Sequence, residues 1–312
     1  MQHFCIGQPC LNFLVKLSPQ MTVMNKYRVL SLLIAVILLF HTPAYGQMSV
    51  MVSIAPQKYF VQQICKDFVE VQVMVPPGAN PATYEPKPRQ MAAIARTRIY
   101  FSIGVPFEYI WLKKIAAANP DMAVVPTDQG IQKLPMAAGH HHEGAKQLDH
   151  GTLDPHIWLS PPLVRSQART ILNAMQAADP GHRSVYESNF KAFMAQVANL
   201  DAELKRIFSG STGQRFMVFH PSWGYFAQAY GLTQIPIEIE GKEPKPAQLR
   251  ELIERARQDG IQFIFVQPQF SARSARVIAG EIGAQVVIAD PLAEDWTANL
   301  RTVARKFETA LR

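Results

Sequence analysis

The stretch YESNFKAFMAQVANLDAELKRI, residues 186–207, decides the architecture. Tyr186, Phe190, Phe193, Val197, Leu200, Leu204 and Ile207 recur at alternating steps of four and three, a single apolar seam along one helix. Asp179 followed by Pro180 is a start signal, a cap oxygen ahead of a residue that fits the first turn. Ser209-Gly210-Ser211 ends the pattern, so the spacing predicts one long helix within 179–209.

On either side lie short runs rich in β-branched residues. Ser49–Ile54, Val71–Val75, Ile99–Ile103 and Ala123–Val125 precede the helix; Phe216–Phe219, Ile235–Ile239, Phe263–Val266 and Val286–Ile288 follow it. Helix-like segments alternate with them, around Lys58–Cys65, Arg89–Ala95, Pro106–Ala117, Pro246–Gln258, Ala272–Ile282 and Asp295–Leu311. This alternation implies α/β architecture with largely parallel sheets. The expectation is two lobes, 47–178 and 210–312, each with a mainly parallel four-stranded sheet flanked by helices. The long helix would join them as a spine packing on both and limiting hinge opening.

The front of the chain bears on compartment. Lys26 and Arg28 precede an apolar run from Val29 to Phe40, which ends at the small residues of Ala44-Tyr45-Gly46. That is the pattern of a secretory signal peptide, with cleavage expected near Gly46-Gln47 and residues 1–46 removed. The run is shorter than the roughly 20 residues a spanning helix needs. Met21 and Met24 are alternative starts to Met1. Cys5 and Cys10 leave with the leader and Cys65 remains alone, so an exported chain of this kind depends on its core, with no internal disulfide. The formal charge of +7 falls, with loss of Lys16, Lys26 and Arg28, to +4. Spread along the chain without a basic run, that excludes a nucleic-acid-binding class.

Five of the nine histidines fall between residues 137 and 161, AAGHHHEGAKQLDHGTLDPHIWLSP. From Gly130 to Thr152 the chain has no usable period, and a loop this long inside a domain is functional or disordered. His156 stands apart from His140, His141, His142 and His150, just ahead of a helix beginning near Pro161. Ligands of doubly wound sheets bind beyond the carboxyl ends of the strands. His220 directly follows Phe216–Phe219, and Asp290 follows Val286–Ile288 by two residues. Two imidazoles and a carboxylate at rim positions make three of the four ligands a divalent metal such as zinc requires. Each residue taken singly also fits an ordinary turn or a hydrogen-bonded structural role.

The segments VSIAPQKYFVQQI, PGANPATYEPKPRQM, DPHIWLSP, FMVFHPSWGYFAQAYGL, EGKEPKPAQLRELIE and ADPLAEDWTANL run in order over residues 52–300. In them the chain resembles the metal-specific solute-binding proteins of ABC transporters, the zinc and manganese uptake group. The resemblance implies two α/β lobes joined by a long helix, with metal in the cleft between them. It implies His156, His220 and Asp290 as ligands, and a permease with its ATPase subunit as partners. It also implies a periplasmic, non-enzymatic, monomeric carrier. One position departs from the family pattern: the segment P-H-x-Y-E-P reads Pro81-Ala82-Thr83-Tyr84-Glu85-Pro86, so Ala82 stands where the first histidine ligand belongs. The fourth position is open to water, to a loop histidine (His140, His141, His142 or His150), or to a carboxylate, Glu85 or Glu240. Otherwise the ligand has been lost or changed.

Manganese-type members carry a carboxylate where this chain has His220, and clustered imidazoles favour zinc, so zinc is expected ahead of manganese or iron. Coordination needs neutral imidazoles, so affinity should fall as pH drops through the histidine range. Two other classes compete. A metal-dependent hydrolase would use the same two histidines and aspartate, with Glu85 or Glu240 as base, but H-E-x-x-H, G-x-S-x-G and a phosphate-binding glycine loop are all missing. A surface adhesin would need an anchor or stalk that the sequence does not display.

Overall fold

The computed structural model describes residues 47–136, 153–239 and 241–311. The proposed leader and the histidines at 140, 141, 142 and 150 lie outside the described residues, as does Glu240. The first sheet is built from β1 (Met48–Val52), β2 (Val69–Val73), β3 (Ile99–Ser102) and β4 (Ala123–Pro126), in the order β2-β1-β3-β4. Between and after these strands lie helices α1 (Ala55–Cys65), α2 (Pro88–Ile94) and α3 (Pro106–Ala118). Two long helices follow, α4 (Pro161–Ala178) and α5 (Arg183–Ile207). The second sheet contains β5 (Arg215–Val218), β6 (Thr233–Pro236), β7 (Phe263–Val266) and β8 (Gln285–Ile288), ordered β6-β5-β7-β8. Its helices are α6 (Gly224–Ala229), α7 (Pro246–Gln258), α8 (Arg273–Ile282) and α9 (Trp296–Ala310). Every pairing in both sheets is parallel. The two sheets therefore share one winding, with a switch point between β1 and β3 in the first and between β5 and β7 in the second.

All eight expected strands are present, with some ends displaced by two or three residues. β1, β2 and β6 stop short because their apolar runs outlast the ladders. Met74, Val75 and Ile237 are buried and still donate to Val52 O, Ser53 O and Val218 O, although strand pairing has ended. Three helices use the same opening: Pro in the first turn and Gln at the third helical position. Gln57, Gln90 and Gln248 each turn a side-chain oxygen back to the N–H of the capping residue, Ile54, Lys87 and Lys245. Each thus satisfies a donor that the first turn would leave free.

The long helix is α5, and its seam is buried at Tyr186, Phe190, Phe193, Val197, Leu200 and Leu204. It begins later than the Asp179 signal suggests, after a 3₁₀ turn over Pro180–His182. Asp179 does not cap the backbone with its side chain; the carboxylate instead accepts from His182 Nδ1 at 2.7 Å and Tyr186 Oη at 2.6 Å. α5 packs along α4 and also contacts α1 beside the first sheet and α9 beyond the second. Asn189 donates to Ile64 O on one side, and Glu203 pairs with Arg301 at 2.8 Å on the other. A continuous core extends across both halves, with Tyr59, Phe60, Phe193 and Trp296 in mutual ring contact where they meet. A smaller core lies under α7 and α8. Among the described residues no helix is long and apolar enough to cross a membrane.

Candidate metal centre

The carboxyl ends of β5–β8 each carry a polar side chain. His220 follows β5, Glu238 follows β6, Gln267 follows β7 and Asp290 follows β8. The register explains how the first two meet. Val218 on β5 lies beside Pro236 on β6, and two residues further along each chain stand His220 and Glu238. Side chains two apart share a face of a sheet. His220 Nδ1 is 2.7 Å from Glu238 Oε1. The ring stacks on Phe270 at 4.7 Å and 18°. Gln267 Nε2 donates to His220 O at 2.5 Å while its oxygen accepts from His220 N, so backbone and ring are both held.

His156 arrives from the other side of the cleft, at the start of the 3₁₀ turn Ile157–Leu159. Asp154 Oδ1 accepts from His156 N at 2.9 Å and lies 2.7 Å from His156 Nδ1. The Asp154 carbonyl accepts from Tyr225 Oη at 2.8 Å, and that oxygen accepts from Leu134 N. Two indoles fasten the same segment to the loop that carries Asp290. Trp158 Nε1 donates to Pro291 O at 2.7 Å, and Trp296 Nε1 to Trp158 O at 2.6 Å. The His156 and His220 rings end 5.2 Å apart between centres. Burial holds His156 below the usual histidine range, outweighing the pull of Asp154 in the opposite direction. With the carboxylates ionised and the rings neutral, a carboxylate can only accept, which puts the proton on Nδ1 and leaves the Nε2 lone pair for a ligand.

The structure brings His156 and His220 together, while Asp290 makes its hydrogen bonds to other residues. Asp290 Oδ1 accepts from Gln269 Nε2 and Leu292 N, both at 2.9 Å, and its backbone oxygen accepts from Asn299. Among the described residues no three His, Cys, Asp or Glu side chains are gathered as a ready-made metal cluster. Ala82 lies exposed in a turn, its N–H bonded to Asn80 Oδ1 at 2.8 Å, and Glu85 is exposed nearby. The ends of the histidine-rich segment meet beside the pair: Pro135 bridges Leu153, and Asp154 N donates to Leu134 O. Among the described residues two buried acceptor oxygens here have no donor, Glu238 Oε2 beside His220 and Gln269 Oε1 beside Asp290. An orphaned carboxylate oxygen next to an imidazole suits a cation, since it otherwise costs about 1–3 kcal/mol.

Asp154 and Glu238 were not singled out in the sequence. The signal for Asp154 was local, an acid two residues before the histidine. Glu238 falls inside the expected strand Ile235–Ile239, so only the observed end of β6 at Pro236 and its register on β5 reveal it.

Two parallel-sheet lobes with an imidazole pair between them define a two-lobed cation-binding protein. The family described as "ZnuA: Zinc-uptake complex component A periplasmic" matches residues 50–310, and the chain belongs to it. It is 27% identical over 252 residues to the high-affinity zinc uptake system protein ZnuA of Bacillus subtilis, covering 79% of each chain. A solved structure described as "Crystal structure of ZnuA" superposes with a TM-score of 0.80 at 45% identity, covering 86% of this chain and 100% of the other. Another, "Crystal structure of 138-173 ZnuA deletion mutant plus zinc bound", has a TM-score of 0.78 at 44% identity, covering 85% of this chain and 98% of the other.

Proposed function

We propose that the protein is the extracytoplasmic zinc-capturing component of an ABC importer, taking up the ion at His156 and His220 in the cleft and releasing it to a membrane permease driven by an ATPase subunit. Membership of the zinc-uptake family supports the cargo and the transport role. The observation that carries the site is the imidazole pair, with Nδ1 of each ring on a carboxylate and the ring centres 5.2 Å apart. A zinc ion at about 2.0–2.1 Å from two Nε2 atoms in tetrahedral geometry sets the ring centres about 5 Å apart, close to that separation. Asp290 is the third ligand in this reading; Gln269 and Leu292 N both bond its Oδ1, and the metal would take Oδ2. Ala82 leaves the fourth position to water, with a histidine of the 137–152 segment or Glu85 or Glu240 as alternatives. Residues 1–46 act as a cleaved signal peptide, and the mature chain works as a monomer.

The chemistry is capture without turnover. His156 and His220 supply neutral nitrogen donors of the borderline softness zinc prefers over manganese. The bond network of Trp158, Trp296 and Pro291 links the segment of His156 to that of Asp290, so movement of either loop is felt at the other. Calorimetry of the exported protein with zinc and a competing chelator tests this reading. One equivalent should bind tightly; stoichiometric binding that survives in a His156→Ala, His220→Ala double variant would overturn the site. A metal-dependent hydrolase on the same residues would turn over model esters in a His220-dependent way, and the proposed carrier should not.

A further inference from the structure

The geometry points to Asp154 and Glu238 as positioning residues for cation capture, each taking the Nδ1–H of one histidine so that both imidazoles present Nε2 to one shared ion. This rests on the zinc reading of the site and deepens it. The two acids are among the most buried carboxylates of the described chain, at 2% and 6% exposure. Each meets its histidine at 2.7 Å. Their backbones arrive by independent routes, a two-residue turn for Asp154 and the β5–β6 register for Glu238. Two unrelated local structures thus produce the same carboxylate–imidazole pair on opposite sides of one gap.

A purely structural role leaves two features unexplained. Asp154 already satisfies the turn through His156 N, so the bond to the ring adds nothing the backbone needs. Glu238 uses one oxygen on His220 and buries the other with no donor among the described residues, an arrangement that costs stability unless positive charge comes near. The two acids raise the donor strength of the rings and add negative charge around a site to which Ala82 contributes no ligand. Carboxylates behind metal-binding histidines fix ring orientation and tautomer, and their loss weakens metal affinity by about 10–100-fold.

The test compares Glu238→Gln and Asp154→Asn with the parent protein and with Glu108→Gln, a buried carboxylate bonded to Ser53, Ile103 and Gly104 at the end of the first sheet. Zinc affinity is measured by chelator competition, the visible spectrum is recorded after loading with Co(II) alone, and metal-free melting is followed. Zinc affinity is expected to fall about 10–100-fold in each of the first two variants, with a changed Co(II) ligand-field band and melting close to the parent. Glu108→Gln should match the parent in affinity and spectrum. If the parent binds zinc and both variants keep its affinity within a few-fold and its Co(II) spectrum, the positioning role is wrong while the zinc site stands. Failure of the parent itself to bind zinc removes the zinc reading and this inference with it.

Discussion

The carboxyl ends of the two sheets have the same strand order and different polar chemistry. Beyond β1–β4, Glu108 is buried and fully engaged: it accepts from Ser53 Oγ, from Ile103 N at 3.0 Å and from Gly104 N at 2.8 Å. Ser53 Oγ in turn lies 2.8 Å from Tyr100 Oη, while Gln57 and Thr127 close the remaining valences on Ser102 O. Beyond β5–β8, Glu238 is equally buried but engages only one oxygen, and the ring it holds faces the gap. A carboxylate surrounded by donors closes a rim, whereas one with a single imidazole partner leaves the rim receptive to a cation. Glu108, in the first turn of the helix after β3, acts as a plug, whereas Glu238, two residues beyond edge strand β6, belongs to the proposed site. The other half of that site comes from between the lobes, on the segment of Asp154 and His156.

The comparison breaks first at the histidines. Removing both imidazoles, by His156→Ala with His220→Ala, should cost at least about 10³-fold in zinc affinity, because each lost ligand removes several kcal/mol of coordination. Circular dichroism should report the same fold, and chelator competition the loss.

The plug is tested by Glu108→Gln. Burial pushes the Glu108 carboxyl up to about 7, against the hydrogen bonds from Ser53, Gly104 and Ile103. Its folded value lies above the unfolded 4.5, so folding favours the protonated form. That contribution is fully present below pH 4.5 and is lost as pH rises through about 7. The neutral glutamine has no such dependence, so the variant should gain up to about 3 kcal/mol relative to the parent between pH 5 and pH 8. Urea unfolding at the two pH values measures it, and parallel pH profiles would contradict it. Zinc affinity should not change.

A smaller gain is expected from Ala82→His, which returns an imidazole to the open rim. Zinc should bind at least about tenfold more tightly, since a further nitrogen donor replaces water in the coordination shell. An unchanged dissociation constant would mean that this turn does not reach the ion. Smallest of all is the optical effect. The indole of Trp158 lies 5.1 Å from His156, whereas Trp223 packs on Phe226 and Phe307 in the core beneath the second sheet. Trp158→Phe should therefore remove most of the zinc-dependent change in fluorescence, and Trp223→Phe should leave it.

How much of this was legible in the sequence depended on how local each cause is. The eight strands show as β-branched runs, and the seam of α5 shows as a sustained helical period, because burial dictates both. Apolar runs overstate the strand ends because Met74, Val75 and Ile237 stay buried after pairing stops. The cap signal of Asp179 misleads because His182, three residues on, and Tyr186, seven residues on, take its carboxylate. His156 and His220 were recognisable from their places beside a helix and a strand. Glu238 was not, since its partnership with His220 exists only through the register of β5 on β6. The indole ties of Trp158 and Trp296 join residues more than a hundred positions apart, beyond the reach of any spacing argument.

The central claim is that the ion sits between His156 and His220. Crystals of the zinc-loaded protein, with data collected on both sides of the zinc absorption edge, test it most directly. The account predicts one strong anomalous peak about 2.0–2.1 Å from Nε2 of both histidines. A peak confined to the histidines of residues 137–152, with none between those two rings, would contradict it.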